Sequence, residues 1–406
     1  MKRIISLGFF GLLAVGSVSA QGLYYLGTET EDSIPLKWVV GTNVIYDDNA
    51  APGYGTKDSS MAVNPYTGLS FVSITPQTTW DVYARLGLIY YVSAPSSMDE
   101  INPQSRAGVN LTHRFSERLR LSSRNFISYE LEPDYSYGYA SSRPTGAYFF
   151  WQSDDSIGFR WTERFATYTG VRLTGTTYPD IPENDRLTWE LYNQLRYQLS
   201  IQTLLTFDIR YSQTSGNGVF TNASDVYLLG GAEHRFSANT VGLINAGIQL
   251  HSVKGGENSS SPYLEFALNS QMTEQFRIRS YARYGIETAN NVQTLIAKQI
   301  EFGDVQVLRI GVSSEYALSS MFSIFGGVDY IPTFYASGHE VATGLSCSDQ
   351  SSDIINAYIG LSVKFNDYLT GTASYNYTYS SSDFSSGATG GNYERNRISV
   401  GLSAEF

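Results

Sequence analysis

Arginine residues recur at alternate positions in short segments of this sequence. Arg277, Arg279 and Arg283 share one parity, and Phe276 and Ile278 lie on the other. A polarity period of two predicts a β-strand with one face in water and one face on an apolar phase. A row of arginines facing water can lower the barrier for anions, or it can pair with carboxylates and hold a wall together. Both interpretations stay open from the sequence.

The same alternation elsewhere yields a set of charged side chains that we expect to face one water-filled lumen. The pore-lining candidates are Arg120, Arg124, Arg172, Arg196, Arg210, Arg277, Arg279, Arg283, Arg309, Glu190, Glu265 and Asp208. On the predicted inward parity, arginines outnumber acids. The anion interpretation predicts an anion-shifted reversal potential in a salt gradient, and clear cation preference would contradict it.

Catalytic and metal chemistry have little support in the sequence. The four histidines, His113, His234, His251 and His339, lack metal-ligand spacing and a neighbouring nucleophile. Cys347 is the only cysteine, so no internal disulfide can form. We therefore predict no enzymatic activity, no metal and no cofactor. A membrane-embedded hydrolase whose site comes together only in space is the alternative left open.

Two kinds of connection separate the alternating segments. Short turns such as 116–118 and 162–164 interleave with long connections rich in Gly, Ser and Asp such as 48–60. That alternation is typical of outer-membrane barrels, with short periplasmic turns and longer outer loops. The sequence predicts an all-β chain: a closed, antiparallel, transmembrane up-and-down barrel of about 18 strands, with 16 as the alternative, over residues 36–406.

The last segment is a strand with one apolar face. Ile398, Val400 and Leu402 share the parity of Phe406, while Arg395 lies on the other. A terminal aromatic on such a strand is common in barrels whose last strand faces lipid and lumen. We expect Phe406 to act as the sorting signal for the barrel-assembly machinery. An edge strand of a soluble sandwich is the alternative.

Composition narrows the class of protein. Charged residues are 16%, aromatics 14% and the net charge is −11. Soluble domains carry about 25% charged residues, and nucleic-acid binding needs a basic face, so we expect no nucleic-acid partner. Trp38, Trp80, Trp161 and Trp189 fall near predicted strand ends, where interfacial aromatic girdles are expected.

The amino terminus has the pattern of an export signal. Lys2 and Arg3 precede an apolar stretch, and Val18, Ser19 and Ala20 are typical of a cleavage site. We predict a cleaved signal peptide over 1–20 and a periplasmic lead-in over 21–35.

Two long connections stand out from the others. Residues 290–304 carry apolar side chains at a spacing close to one helix face. This segment could fold into the barrel mouth, or it could extend the strands above the membrane. The tyrosine-rich segment 132–146 is a second candidate for a folded outer loop.

The closing segments carry a family resemblance. The ending YERNRISVGLSAEF, preceded by YNYTYSSSDF, resembles the last hairpin of the bacterial family named beta-barrel porin type 2, with similar texture over 178–406. The resemblance implies an outer-membrane barrel of a Gram-negative bacterium, in contact with lipid and lipopolysaccharide, and supplies no site residue. The barrel pattern and the arginine-rich inward parity favour a passive channel for small polar or anionic solutes. The alternative is a non-conducting structural or adhesive barrel, or an accessory to surface polysaccharide export.

Overall fold

The computed structural model describes residues 33–51, 57–95, 98–131, 147–179, 182, 185–217, 222–254, 258–287, 292–295, 298–383 and 392–406. Within these residues the secondary structure is extended strand. No helix in the described part of the chain is long and apolar enough to cross a membrane.

The chain forms one antiparallel sheet of twenty strands. In chain order they are β1 Ile34–Asp47, β2 Ser60–Ile74, β3 Thr78–Tyr91, β4 Ile101–Arg114, β5 Leu119–Glu130, β6 Tyr148–Arg160, β7 Phe165–Thr177, β8 Arg186–Gln198, β9 Thr203–Gly216, β10 Ala223–Ser237, β11 Thr240–Val253, β12 Asn258–Gln271, β13 Phe276–Ile286, β14 Val292–Leu295, β15 Lys298–Ala317, β16 Phe322–Glu340, β17 Ser346–Cys347, β18 Gln350–Lys364, β19 Leu369–Ser382 and β20 Tyr393–Glu405.

The sheet closes on itself. Each long strand pairs with its neighbours in sequence, and β1 pairs with β20 from Val39–Glu405 to Asp47–Arg397. The short strands β14 and β17 pair only with the first residues of β15 and the last residues of β16. The barrel therefore has 18 strands, which confirms the prediction. Closure satisfies the backbone groups that a free strand edge would leave unpaired in lipid.

Most short turns share one local structure. A Ser, Thr or Asn side-chain oxygen accepts hydrogen bonds from backbone N–H groups two and three residues later, as Ser116 does from Arg118 and Leu119. The same bonds start at Thr162, Ser200, Thr273, Ser319 and Asn366. These side chains accept from backbone N–H groups that have no partner strand in the turn. Four residues are therefore enough to reverse the chain.

The barrel exterior carries the apolar parity of each strand. A large apolar side chain precedes the capping residue of these turns, so exposed rings collect at one level, including Phe115, Trp161 and Phe365. Trp38, Trp80, Phe236 and Phe406 lie toward the same end, and Trp189 lies toward the other, against Tyr211. Such bands match the two water–lipid interfaces.

Inward-facing tyrosines cover glycines of the adjacent strand. The Tyr192 ring lies where a Cβ on Gly170 would stand, at 2.4 Å from Cζ, and Tyr83 covers Gly108 in the same way. A ring lying flat on a glycine fills space at the wall without entering the lumen far. A methyl group at either glycine would force the ring off the wall.

The structure settles one loop expectation and leaves others untested. Val292–Leu295 pairs with Lys298–Glu301 in a hairpin, so the helical interpretation of 290–304 is wrong for the described part. The backbone groups of this segment bond in a strand ladder, so its apolar residues lie on strands and not on a helix face. Residues 132–146, 1–20 and most of the 21–35 lead-in lie outside the described residues.

Candidate functional site in the barrel lumen

One parity of all eighteen barrel strands points inward, and it carries nearly all the charge. Ladder partners point to the same side, so the pairs Arg172–Glu190 and Arg283–Glu265 place four candidates together on the inner wall. The register of the successive strand pairs puts every arginine and acid of the candidate set on this face. Their position is inward, and their part in permeation stays a prediction.

Asp154 is the centre of an ion-pair network on β5 to β8. Its Oδ2 accepts from Nη2 of Arg124 at 2.8 Å and from Nη2 of Arg172 at 3.2 Å. Its Oδ1 accepts from the Tyr192 hydroxyl at 2.7 Å. Arg172 also donates through Nη1 to Glu190 at 2.9 Å. Two arginines therefore share one buried carboxylate, and the strands of this region are tied together above their backbone ladder.

A second cluster joins strands that are not neighbours. The Arg210 guanidinium on β9 donates to both carboxylate oxygens of Glu265 on β12, at 3.3 and 3.2 Å. Its Nε donates to Asp208 at 2.9 Å, and Tyr263 donates to Glu265. Strands β10 and β11 lie between the two partners, so the wall must curve sharply here for the side chains to meet.

Small residues on the intervening strands allow that curvature. A Cβ on inward-facing Gly247 would lie 2.0 Å from the backbone oxygen of Leu228, and one on Gly231 would lie 1.9 Å from Oδ1 of Asn245. Asn245 is fully buried and donates to Glu265 at 3.3 Å. Glycine is thus required where the inner surface of the bend has no room for a side chain.

One side chain stands in for a missing stretch of strand ladder. The β12–β13 pairing ends at Leu264–Tyr284, and Pro262, which has no N–H, lies two residues before Leu264 on β12. The Gln249 amide reaches over from β11, accepting from the Ile286 N–H at 2.8 Å and donating to the Ile286 carbonyl at 2.9 Å. Gln249 is fully buried, so it replaces both lost backbone bonds.

Several other inner acids are also paired. Glu287 accepts from Nε and Nη2 of Arg309, each at 2.9 Å, and lies 3.9 Å from Arg283. Asp329 accepts from the Tyr281 hydroxyl at 2.9 Å. Arg196 donates to Glu233 at 2.9 Å. Most of the arginine wall is therefore charge-compensated, as the ion-pair interpretation predicts.

The seam between the first and last strands has its own cluster. Arg395 donates from Nε to Asp47 at 2.9 Å, and Arg397 donates to the same carboxylate at 3.2 Å. Just beyond the strand end, Asp48 accepts from the backbone N–H of Asn396 at 2.6 Å and lies 2.8 Å from Lys57. Burial would raise the pKa of Asp48, but the Asn396 and Lys57 interactions lower it below its ordinary value.

Phe406 completes the same seam at the opposite end of β1. Its backbone N–H donates to the Trp38 carbonyl at 2.8 Å, and the Trp38 N–H donates to the Phe406 carbonyl at 2.9 Å. The ring is 69% exposed on the outer surface. The residue proposed as a sorting signal is therefore also the last link of the ladder.

Some candidates make no ion pair within the described residues. Arg120 on β5 stands directly opposite Arg114 on β4, at the short-turn end, and Arg277 stands opposite Glu315 without an ion pair. Arg279 points inward, is partly buried and does not belong to these unpaired groups. Arg114 and Arg120 face each other at this mouth of the barrel, and neither forms an ion pair with a described acid.

Sequence reasoning missed the acids that organise these clusters. Asp154, Asp47 and Asp225 were not among the candidates, although each faces inward and is buried. Asp225 accepts from Gln249 and bonds His251 at 2.7 Å. Parity could have placed Asp154, since Trp151 and Ile157 mark the outward face of its strand. No sequence signal identifies it as shared between two arginines.

Exposure of the inner wall changes from one end to the other. Inward side chains next to the short turns, such as Arg114 and Arg160, are exposed. At the long-connection end Glu130, Arg186 and Asp225 are buried. Apolar clusters also face inward there, among them Phe302, Ile331 and Tyr335. No group of three or more potential metal ligands occurs among the described residues.

Comparison with known proteins gives a similarity of fold. No family model and no curated protein matches the sequence, so the resemblance to beta-barrel porin type 2 is not confirmed. Among solved structures, the chain is similar to OccK1 (OpdK) of Pseudomonas aeruginosa, with 12% identity, TM-score 0.46, and coverage of 91% of this chain and 99% of that one. It is also similar to a BenF-like porin of Pseudomonas fluorescens Pf-5, with 10% identity, TM-score 0.46, and coverage of 93% and 99%.

A third similar structure is Acinetobacter baumannii OccAB4, with 10% identity, TM-score 0.43, and coverage of 92% and 99%. Identities and TM-scores this low place no function on the chain. What the chain's own residues establish is a closed transmembrane barrel of 18 antiparallel strands, apolar outside and charged inside.

Proposed function

We propose that this chain is a porin of the Gram-negative outer membrane, a passive channel for small polar solutes with a weak preference for anions. The observation that carries the proposal is that the charged side chains of the barrel strands lie almost entirely on the inward parity of a closed wall of eighteen strands. A wall of this kind presents hydrogen-bonding groups to water and an apolar band to lipid. The membrane lipid and lipopolysaccharide are its surroundings, and the barrel-assembly machinery its partner during insertion.

Weak selectivity follows from how the wall charges are arranged. Arg124, Arg172 and Arg210 are held by buried carboxylates, so their fields are largely cancelled at the lumen. Arg114 and Arg120 lack such partners among the described residues. A solute entering from the short-turn side passes these two cations near the mouth, which favours anions without excluding cations.

The test is conductance of the purified barrel in a planar bilayer under a KCl gradient. We expect discrete channels and a reversal potential of anion sign. The double change Arg114→Gln and Arg120→Gln should move the reversal potential toward zero or the cation side. The control is Arg118→Gln, which removes one charge from the adjacent turn and leaves the inner wall intact. An equal shift in the control would assign the effect to general surface charge.

A second candidate function is a non-conducting barrel with a structural, adhesive or export-accessory role. One observation favours it: Asp208, Glu265 and Arg309 are only 1% exposed, so the inner wall is covered there. This candidate predicts no channel at any voltage from protein that shows heat-modifiable migration and is therefore folded. Channels of any stable conductance would rule it out.

A further inference from the structure

The outer surface of β5 to β8 carries a polar patch in the middle of the apolar band. It is formed by outward-facing Ser123, Asn125, Ser153, Asp155, Thr169 and Asn193. Ladder pairs join Ser123 to Asp155, Asn125 to Ser153, and Thr169 to Asn193. These positions share the parity of Trp151 and Ile157, whose side chains face outward beside them.

Asp155 is the unusual member of this polar patch. Among the described outward positions of the barrel strands, it is the formally charged side chain that lies near mid-strand. The other outward acids, Asp304, Asp353 and Glu394, lie toward the long-connection end of the barrel. Asp155 is exposed, and the Ser153 hydroxyl donates to its Oδ2 at 2.8 Å. Its remaining lone pairs face the surroundings of the barrel.

Acyl chains cannot satisfy such a group. An ionisable side chain at mid-membrane depth is costly and normally faces protein or water. The same depth on other faces of this barrel is filled by side chains such as Phe207, Ile244 and Val400. A polar cluster that includes a carboxylate therefore lies on four neighbouring strands, at a depth where contact with acyl chains is costly.

The polar patch is complementary to itself. It contains an acceptor-only carboxylate and, at nearly the same depth, amide and hydroxyl donors. Asn125 donates one amide hydrogen to Ser123 at 3.0 Å, and Asn193 donates one to Thr169 at 2.6 Å. Each amide keeps a second hydrogen to donate. A second copy of the chain in the same membrane orientation brings identical depths together, so donors meet the carboxylate of the other copy.

The shape of the patch also suits close approach. Ser123, Ser153 and Thr169 are small, and small side chains at a contact let two transmembrane surfaces come together. Ile127 lies toward one membrane interface and Ile157 toward the other, at 47% and 55% exposure. The polar patch thus has apolar side chains on both sides along the membrane normal. When two copies associate, these side chains can exclude lipid from the carboxylate.

We propose that this chain self-associates in the membrane through the polar patch on β5 to β8, with Asp155 bonded by donors of the neighbouring copy. The proposal concerns the outer surface and holds whether or not the lumen conducts. It assigns the face of contact, and the mass of the complex gives the number of copies.

The first experiment is cross-linking in intact membranes. Ser153→Cys is introduced in a Cys347→Ser background, because Cys347 is the only native thiol, and a short thiol-specific cross-linker is added. We expect a product with the mass of an integral multiple of the chain. Ile244→Cys in the same background is the control, since it is outward at comparable depth on β11. Equal cross-linking at both positions, or capture of a different protein at Ser153→Cys, would overturn the proposal.

The second experiment measures assembly in mild detergent by sedimentation. Asp155→Leu should raise the dissociation constant about tenfold or more, which is the effect of losing one to two membrane-buried hydrogen bonds. Asp353→Leu, an outward acid near the loop end, should leave it unchanged. Heat-modifiable migration confirms that each variant is folded. A native chain that sediments as a monomer, or an Asp155→Leu variant that assembles normally, would contradict the inference.

Discussion

Asp154 and Asp155 are adjacent in sequence and have opposite environments. Asp154 is 2% exposed and holds two guanidinium groups, whereas Asp155 faces out of the barrel. Because successive strand residues point to opposite faces, one step along the chain moves a carboxylate from an ion-pair network to the outer surface. The two residues therefore form a natural pair for comparison.

Asp154→Asn should destabilise the barrel strongly. It preserves volume but leaves Arg124 and Arg172 without their shared charge, and breaking a buried pair from one side costs about 3–5 kcal/mol. The measurement is reversible urea unfolding in lipid vesicles, followed by tryptophan fluorescence.

Asp155→Asn is the matched control for that measurement in dilute vesicles. It removes a charge that has no inward partner, so the unfolding free energy should stay equal or rise. If both variants lost the same stability, the network around Asp154 would not be the cause.

The seam residue Asp48 should show a pH dependence. Burial acts to raise its folded-state pKa, but the bonds to Asn396 and Lys57 outweigh burial and lower it. The stabilising contribution is therefore complete above the unfolded-state value of about 4, and it decreases as the pH falls through the lower folded value. Carbon-detected NMR titration of the Asp48 carboxyl should give a midpoint below about 4. A midpoint at or above that value would contradict the bonding described.

At the level of strands, the bend at β10 and β11 depends on where glycine stands. Gly247 lies on its inner side, against the Leu228 carbonyl, and Gly230 lies on the outer side, where an added methyl group would meet no atom within 4 Å. These two glycines lie on neighbouring strands and have opposite steric environments. A backbone contact cannot move away as a flexible side chain can.

Gly247→Ala should therefore destabilise the barrel by about 1–3 kcal/mol, the usual cost of overpacking. Gly230→Ala should be within about 0.5 kcal/mol of the native chain, since surface changes are generally small. Urea unfolding in vesicles compares them directly. Equal effects would show that the bend relaxes without cost.

Much of this level was predictable from sequence. Period-two polarity and the alternation of short and long connections predicted strand number and the inward parity of Arg172, Arg210 and Arg283. Proline at 262 predicts a break in the backbone ladder. The sequence does not predict that Gln249 fills this break from another strand, because that contact depends on the curvature of the wall. The apolar spacing in 290–304 fits both a helix face and a hairpin strand, so the sequence left two interpretations open, and the described part extends the strands.

At the level of the whole molecule, closure depends on the pairing of the first and last strands. Phe406 contributes two backbone bonds to β1 and an exposed ring. Phe406→Ser keeps the backbone bonds and removes the ring. If the barrel-assembly machinery recognises the ring during insertion, the amount of Phe406→Ser barrel in the outer membrane should fall several-fold. The refolded variant should keep nearly native stability.

Quantitative membrane fractionation checks this prediction, with Tyr368→Ser as the control. Tyr368 is 64% exposed in the last short turn, at the same end of the barrel. A similar loss in both variants would mean that any interfacial ring matters equally. The closed form itself was predictable, since an open sheet would leave backbone groups unpaired in lipid. An even strand number returns the first and last strands to the same side of the membrane.

The hairpin of β15 and β16 has a practical consequence. These strands have 20 and 19 residues, against 11 to 15 in the other barrel strands. A rise of about 3.3 Å per residue makes them longer than an apolar band of about 25 Å requires, even when tilted. Their ends next to the long connections extend beyond the apolar band, and the turn at 341–345 follows the end of β16. A peptide epitope grafted into that turn would be presented to antibodies on living cells at a fixed height, without disturbing the barrel below.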